Sequence, residues 1–193
     1  MVQKKFKLIV GITGATGAIY GIRLLEYLSK VNSVETSLVI TEAAEITIKH
    51  ETDYKLEKIK SLANKVYDIN DIAAALASGS YKRDGMIVMP CSVKTMAALA
   101  NSLAVNLLIR AGDVTLKEKK PLVLALRETP LHLGHLKSMV SLSEIGATIM
   151  PLSPSFYHRP KSVPEMVDFM VGRALDLLGI GNSLVKEYKG SGK

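Results

Sequence analysis

Short apolar runs alternate along this chain with longer stretches in which apolar residues recur every three or four positions. A short apolar run between turn residues is typical of a buried strand, and the longer spacing is typical of an amphipathic helix. The predicted strands are Leu8–Ile12, Ser37–Ile40, Met86–Met89, Leu122–Leu126 and Thr148–Met150. Strands and helices in alternation predict an α/β fold, a parallel sheet wrapped by helices.

The amphipathic stretches predict eight helices, and no internal repeat or second core interrupts them. They are Ala18–Lys30, Glu42–His50, Leu56–Ala63, Ile72–Ala77, Val93–Ala100, Val105–Lys117, His132–Ile145 and Pro164–Leu178. Residues 77–85, ASGSYKRDG, are the most linker-like segment. We expect one domain over residues 1–185, followed by a flexible tail over residues 186–193.

The stretch VGITGATGAIYG, residues 10–21, places glycines where the first strand passes into the first helix. Free N–H groups at such a turn favour an anion, and glycine lets a phosphate or flat ring approach the main chain. Alternatively, Gly11, Gly14 and Gly17 make a tight turn and let the helix pack close to the sheet. The spacing is not a dinucleotide fingerprint, so both interpretations remain open.

Polar residues follow the other predicted strands as well, and ligands collect beyond the carboxyl ends of parallel strands. Thr41 follows the second strand, and Arg127 and Glu128 follow the fourth. In PCSVKTMAALA, Ser92 and Thr95 stand in the cap and first turn of a helix, where hydroxyls and N–H groups can hold a phosphate. Plain helix capping explains Ser92 equally well. These residues together predict a polar rim that favours a ligand site.

The composition narrows the class of protein. The chain has 193 residues, 48% of them hydrophobic, and a net charge of +7. Its basic residues are dispersed and only 5% of residues are aromatic, which argues against nucleic acid as a partner and favours small anions. With no apolar run of membrane-spanning length, the positive mean hydropathy predicts apolar surface hidden between subunits of an oligomer. A single cysteine and no visible export signal predict a cytoplasmic protein.

Several cations and one tyrosine are candidates for an anion site. Arg110 and Lys117 are two helical turns apart and project from one helix face. Arg173 interrupts an apolar helix face, and an arginine on the buried side requires an anionic partner. Tyr157 lies in the proline-braced loop PLSPSFYHRP, either as part of a lid over the core or as a hydrogen-bond donor to a phosphate.

Two other features are interpreted as structural. Cys91 has no histidine fixed beside it in sequence, which favours a buried thiol over a nucleophile. His132 and His135 lack a third ligand at suitable spacing, so no metal site is expected.

Four blocks of the chain together resemble the flavin prenyltransferases, the UbiX family, over most of its length. They are GITGATGAIYGIRLLEYL, PCSVKTMAALA, NLLIRAGDVTLKEKKPLVLALRETPLHLGHLKSM and PSFYHRPKSVPEMVDFMVGRALDLLGI. The resemblance implies a flavodoxin-like, Rossmann-like three-layer sandwich that assembles as a homododecamer. It implies that a dimethylallyl group from dimethylallyl phosphate is joined to N5 and C6 of reduced FMN without a metal. The product, prenylated FMN, is the cofactor of UbiD-type decarboxylases.

The resemblance also implies roles for individual residues. Near the reacting centre it places Glu51, Glu128 and Thr16. On the prenyl phosphate it places Arg110, Lys117, Tyr157 and Arg173, and these groups need not converge within one chain because the family shares sites between subunits. On FMN it places Gly14, Ala15, Thr16, Thr41, Ser92, Val93, Lys94, Thr95 and Arg127. Thr16 replaces a common serine and Gly112 a usual alanine, and neither change removes a functional group.

Two alternative functions remain. An FMN-dependent cysteine decarboxylase would share the fold, but such proteins carry a PASANT-type segment where this chain has PCSVKT. A non-catalytic FMN-binding accessory subunit of a decarboxylase would not need the four phosphate-binding candidates.

Overall fold

The computed structural model describes residues 4–185, and their strands form a parallel sheet in the order β3-β2-β1-β4-β5-β6. This is the strand order of a doubly wound Rossmann sheet. The strands are β1 Phe6–Ile12, β2 Val34–Ile40, β3 Lys65–Tyr67, β4 Gly85–Cys91, β5 Leu122–Leu126 and β6 Thr148–Ile149. Register is continuous from Phe6 opposite Val34 to Ile12 opposite Ile40.

Helices cover both faces of the sheet. They are α1 Ala18–Leu28, α2 Glu42–Glu51, α3 Leu56–Lys60, α4 Val93–Ala100, α5 Leu107–Lys117, α6 Leu133–Glu144 and α7 Val163–Leu177. Alternate residues of β1 point to opposite faces: Leu8 and Val10 pack with α1 and α7, whereas Ile9 packs with α4 and α5. The result is the predicted three-layer α/β sandwich. Among the described residues, no helix is long and apolar enough to cross a bilayer.

The predicted elements are confirmed with two exceptions. The edge strand β3, Lys65–Tyr67, was not predicted. It has only three residues, two of them exposed, so it shows no alternation of buried and exposed positions. The predicted helix Ile72–Ala77 is wrong over its first half: only Ala75–Ala77 form a 3-10 turn. Ile72 is 64% exposed, so its place in the apolar spacing does not reflect burial.

The linker-like segment 77–85 is anchored to the core by Arg83. Arg83 is 3% exposed, and its guanidinium donates to the carbonyl oxygens of Ser78 and Ala111. Burial lowers the pKa of Arg83. The segment therefore packs on α5.

Candidate functional site

A cavity of about 540 Å³ lies beyond the carboxyl ends of β1, β2 and β4, where the doubly wound sheet changes direction. Five of the predicted flavin-binding residues line it: Gly14, Thr41, Ser92, Lys94 and Thr95. Part of the wall is apolar and includes Ala98, Val105 and Ile109. The cavity thus combines polar groups with an apolar surface, as ligand pockets do.

The N-termini of three helices, α2, α4 and α5, line this cavity. Thr41 caps α2 by accepting a hydrogen bond from Ala44 N at 3.1 Å. Ser92 caps α4 by accepting from Thr95 N at 3.3 Å, and its hydroxyl lies 3.2 Å from the Thr95 hydroxyl. The amides of the first turns, including those of Val93 and Lys94, precede the first intrahelical hydrogen bond. These helix dipoles favour an anion here, and the first turn of α2 also carries one acidic side chain that lines the cavity, Glu42.

Thr13, which directly follows β1, fixes the relative position of two of the loops. Its buried hydroxyl donates to Pro90 O at 2.8 Å and accepts from Ser92 N at 2.8 Å. The end of β1 and the start of α4 are thereby cross-linked. The adjacent Thr-Gly sequence gives no signal for this contact, which spans 79 positions.

The glycines of the β1–α1 turn allow close packing. A Cβ on Gly14 would lie 2.5 Å from Ala43 Cβ, and a Cβ on Gly21 would lie 2.3 Å from Met89 O. Gly17 has φ of 90°, a left-handed conformation that favours glycine. Close packing at Gly14 is against α2 and not against the sheet, and Gly14 also lines the cavity, so the turn has both features.

The anion at the N-terminus of α1 is a side chain of this protein. Glu51 Oε2 accepts hydrogen bonds from Gly17 N at 2.8 Å and Ala18 N at 3.1 Å. Desolvation raises the pKa of Glu51, but hydrogen bonds from Thr16, Ala18 and Gly17 outweigh it, so the pKa lies below its ordinary value. Glu51 is ionised at neutral pH and occupies the position that the sequence suggested for a ligand anion.

Arg127 lies close enough to Glu51 to lower its pKa further through its charge. It also counteracts part of the desolvation that raises the pKa of half-buried Tyr20. Glu128, its neighbour, accepts from Thr129 N at 2.9 Å. Thr16, Glu51 and Arg127 therefore form one cluster at the carboxyl edge of the sheet, beside buried Ala15.

Arg110 and Lys117 share one face of α5, as predicted. Arg110 pairs with Asp113 at 2.7 Å and donates to Ala77 O at 3.2 Å. Lys117 Nζ lies 3.5 Å from Glu118 Oε1 and 3.2 Å from the position of a Cβ on Gly79. Lys117 thus stands at the C-terminal end of α5, away from the cavity, which Ile109 lines near the start of that helix.

Arg173 does not lie on the buried side of α7, and the expectation that it does is wrong. Its side chain is 48% exposed and pairs with Asp176 one turn later at 2.9 Å. Helix α7 packs on the sheet face that carries α1, and α5 packs on the opposite face. Lys117 and Arg173 therefore lie on opposite sides of the sheet and cannot reach one phosphate within a chain.

Tyr157 lies in the loop between β6 and α7 and is 63% exposed. Its ring contacts Phe169 edge-on at 5.8 Å and His158 at 5.7 Å, and His158 stacks on Phe169 at 4.4 Å. These contacts orient the loop on α7. They leave most of the Tyr157 surface accessible to another molecule.

The cysteine and histidine interpretations are consistent with the geometry. Cys91 is fully buried, and desolvation raises the pKa of its thiol to about 12, so it is not a thiolate nucleophile. His132 caps α6 by accepting from Gly134 N, and its ring lies 3.6 Å from that of His135. Among residues 4–185 no group of three or more His, Cys, Asp or Glu side chains is placed to hold a metal.

Comparison with known proteins identifies the class. A family model described as Flavoprotein matches residues 2–175. The flavin prenyltransferase UbiX of Thauera aromatica is 50% identical over 185 residues, which cover 96% of this chain and 95% of that relative. The chain belongs to the flavin prenyltransferase UbiX family.

Two solved structures are closely similar. A crystal structure of AnUbiX (PadA1) in complex with FMN and dimethylallyl pyrophosphate has a TM-score of 0.95 and 44% identity, covering 97% of this chain and 99% of that one. A dodecameric FMN-dependent UbiX-like decarboxylase from Escherichia coli O157:H7 has a TM-score of 0.94 and 43% identity, covering 96% and 100%.

Proposed function

We propose that this protein is a flavin prenyltransferase that joins a dimethylallyl group from dimethylallyl phosphate to N5 and C6 of reduced FMN. The observation that carries the proposal is the cavity at the sheet's carboxyl edge, where three helix N-termini and five predicted flavin-binding residues meet. Family membership at half identity supports the same reaction. The prenylated FMN would serve a UbiD-type decarboxylase.

The residues present fit FMN. Its phosphate is an anion, and the hydroxyls of Thr41, Ser92 and Thr95, the ammonium of Lys94 and the first-turn amides are the donors that bind such a group. The apolar part of the wall suits a flat ring system. Reduced FMN, when bound, supplies the nucleophilic ring atoms that accept the allylic group.

Within this chain, the charged residues clustered around Glu51 at the carboxyl edge of the sheet would divide into two roles. Arg127 is a fixed cation at the edge of the sheet, where it would orient an anionic or electron-rich part of FMN. The ionised carboxylate of Glu51 would stabilise positive charge on the allylic carbon as the phosphate departs, and it is placed to accept a proton rather than donate one at neutral pH. Glu128 is the second carboxylate near this edge.

The phosphate of the substrate must be bound by more than one copy of the chain. Lys117 and Arg173 lie on opposite faces of the sheet, so a site that contains both, with Arg110 and Tyr157, needs a neighbouring subunit. The dodecamer described for the relative from E. coli O157:H7 offers such neighbours. We propose a homododecamer for this protein as well.

The two alternatives have less support. The relatives at half identity over almost the whole chain are flavin prenyltransferases, which disfavours a cysteine decarboxylase. A non-catalytic accessory subunit would not require Arg110, Lys117, Tyr157 and Arg173. A buried, reduced Cys91 agrees with the cytoplasmic location that we propose.

Mass spectrometry of the flavin tests the function directly. The protein is incubated anaerobically with reduced FMN and dimethylallyl monophosphate, or with the pyrophosphate in a parallel sample. We expect a flavin heavier by one dimethylallyl group, and none when the prenyl phosphate is omitted. Unmodified FMN in every sample, despite tight FMN binding, would instead indicate the accessory subunit.

A further inference from the structure

The position of Glu51 depends on how the end of α2 is held against α1. Glu51 is the last residue of α2, and its carboxylate crosses to the first turn of α1 at Gly17 and Ala18. The helix ends immediately afterwards at Thr52, whose extended backbone turns the chain away. A carboxylate on a terminal turn is free to move unless the chain after it is fixed.

The chain after Glu51 is fixed by Tyr54. Thr52 donates from its hydroxyl to Ile48 O at 2.8 Å and accepts from Tyr54 N at 3.3 Å, which closes a turn at the end of α2. The Tyr54 hydroxyl then donates to Glu26 Oε1 on α1 at 2.8 Å. The hydrogen bond to Glu26, with burial, raises the pKa of Tyr54, so the hydroxyl stays a donor at neutral pH.

The end of α2 is thus attached to α1 at two points. Glu51 holds the first turn of α1, and Tyr54 holds Glu26, which is eight residues beyond Ala18 and therefore about 12 Å along the helix axis. Two attachments at that separation fix both the position and the direction of the segment. They add to the packing of Ile48 and Tyr54 against the core cluster.

The other carboxylate oxygen of Glu26, Oε2, forms an ion pair with Arg23. Arg23 NH1 lies 3.4 Å from Glu26 Oε2, and the same guanidinium forms a bidentate pair with Asp168 of α7, at 2.5 Å and 3.1 Å. These three side chains are 28–30% exposed, so water screens them only in part. Asp168 precedes Phe169, against which Tyr157 packs. The network therefore connects the supports of two candidate site residues.

We propose that Tyr54 and Glu26 are positioning residues for Glu51, holding its carboxylate on the first turn of α1. The consequence for catalysis rests on the proposed function, but the positioning itself is a property of this chain. Neither residue touches the cavity, and both act only through Glu51.

Amide exchange at Gly17 and Ala18, measured by hydrogen–deuterium exchange mass spectrometry on the protein without substrate, tests the positioning. Tyr54→Phe deletes one hydroxyl, and we expect exchange at these amides to quicken about three- to tenfold, as for one lost hydrogen bond. Glu26→Ala should do the same. Glu26→Gln keeps an acceptor for Tyr54 and should retain protection close to wild type.

Tyr27→Phe is the matched control, because it also deletes one tyrosine hydroxyl. Tyr27 lies on α1, and its hydroxyl accepts a hydrogen bond from Ser183 N. Tyr27→Phe should leave exchange at Gly17 and Ala18 unchanged. In the Glu51→Ala protein, Tyr54→Phe should cause no further increase in exchange at these amides, because the carboxylate that Tyr54 positions is absent. The proposal would be overturned if Tyr54→Phe left the exchange rate at these amides unchanged, or if Tyr27→Phe raised it as much. It would also be overturned if Tyr54→Phe raised the rate further in the Glu51→Ala protein.

Kinetics separate this proposal from the proposed function. We expect Tyr54→Phe to lower kcat about three- to tenfold while KM for dimethylallyl phosphate and FMN affinity stay within about twofold. A loss confined to KM or FMN affinity would contradict a role through Glu51. If wild-type protein makes no prenylated flavin, the proposed function fails, and the exchange difference still decides the positioning.

Discussion

At the scale of the residue, Glu51 shows how an apparent ligand site can be occupied from within. The amides and the dipole at the first turn of α1 favour an anion, and the carboxylate of Glu51, 34 positions from Gly17, accepts the hydrogen bonds there. The N-termini of α2 and α4, by contrast, are capped by neutral hydroxyls and line the cavity. An FMN phosphate is therefore expected at α2 and α4 and not at α1.

The lowered pKa of Glu51 predicts a pH-dependent contribution to stability. A carboxylate whose pKa is lower in the folded state stabilises the fold above its unfolded pKa, and this stabilisation is lost as pH falls through the folded pKa. Glu51→Gln should lower Tm by about 1–3 °C at pH 7. The difference should shrink as the pH is lowered into and below the ordinary range of glutamate. Thermal unfolding of both proteins from pH 7 to about pH 3 measures it, and a difference that grows on acidification would contradict the assignment.

Sequence reasoning found the residues that directly follow strands and missed the contacts between elements. Thr41, Ser92 and Thr95 could be predicted because parallel strands bring their carboxyl ends to one edge. The cross-links made by Thr13 and Glu51 could not, because they depend on where distant helix ends meet in three dimensions. Arg173 was misplaced since an exposed arginine paired with Asp176 looks, in sequence, like an interruption of an apolar face.

At the scale of the element, the close approach of α1 to β4 decides the shape of the site. Gly21 lies against the carbonyl oxygen of Met89, with room for no Cβ. The helix therefore lies directly on the strand. The sheet could be predicted because its strands are apolar runs, but nothing in the sequence gives this separation.

Gly21→Ala tests that packing. The added methyl would overlap a backbone atom, which cannot move aside as a side-chain end can, so α1 must shift away from β4. We expect a loss of about 2 kcal/mol in stability, or about 4–8 °C in Tm. Gly181→Ala is the control, because nothing lies within 4 Å of a Cβ there. Equal Tm values for the two variants would contradict the close contact.

At the scale of the whole molecule, exposed apolar surface on α6 indicates assembly. Its outer stripe consists of Leu133, Leu136 and Val140, exposed by 65%, 45% and 57%. Contiguous apolar surface of this kind on a folded chain marks an interaction site. A second copy is the expected partner, since the predicted phosphate site needs one.

The stripe predicts which substitution breaks the assembly. Wild-type protein should have a mass of about 250 kDa in light scattering, twelve times the 20.9 kDa chain. Leu136→Glu should lower that mass, because a buried charge at the interface lacks a partner. Lys58→Gln, at an exposed position on α3, makes the same change in charge and should leave the mass of the assembly unchanged. A wild-type monomer at micromolar concentration would contradict the dodecamer, and an unchanged mass for Leu136→Glu would exclude this surface.

Single substitutions distinguish the proposed phosphate site from the proposed FMN site. Lys117→Met or Arg173→Met keeps bulk and deletes a charge that would stabilise the departing phosphate. A charge-assisted hydrogen bond contributes about 1.5–3 kcal/mol, so single-turnover prenylation should slow about ten- to a hundredfold with FMN affinity unchanged. Arg127→Met should instead weaken FMN binding in a titration. Wild-type turnover in both Lys117→Met and Arg173→Met would exclude the phosphate site.

Mixed assemblies then test whether the site is shared. Lys117 and Arg173 lie on helices that cover opposite faces of one sheet, so the proposed phosphate site would take them from different copies. When Lys117→Met and Arg173→Met chains are co-assembled in equal amounts, about a quarter of the sites should carry both native residues. Activity should therefore rise well above that of either variant alone. Glu51→Ala mixed with Arg127→Met is the control: these side chains meet within one chain, so no site regains both. Recovery in the control, or none in the first mixture, would contradict a site completed by a neighbour.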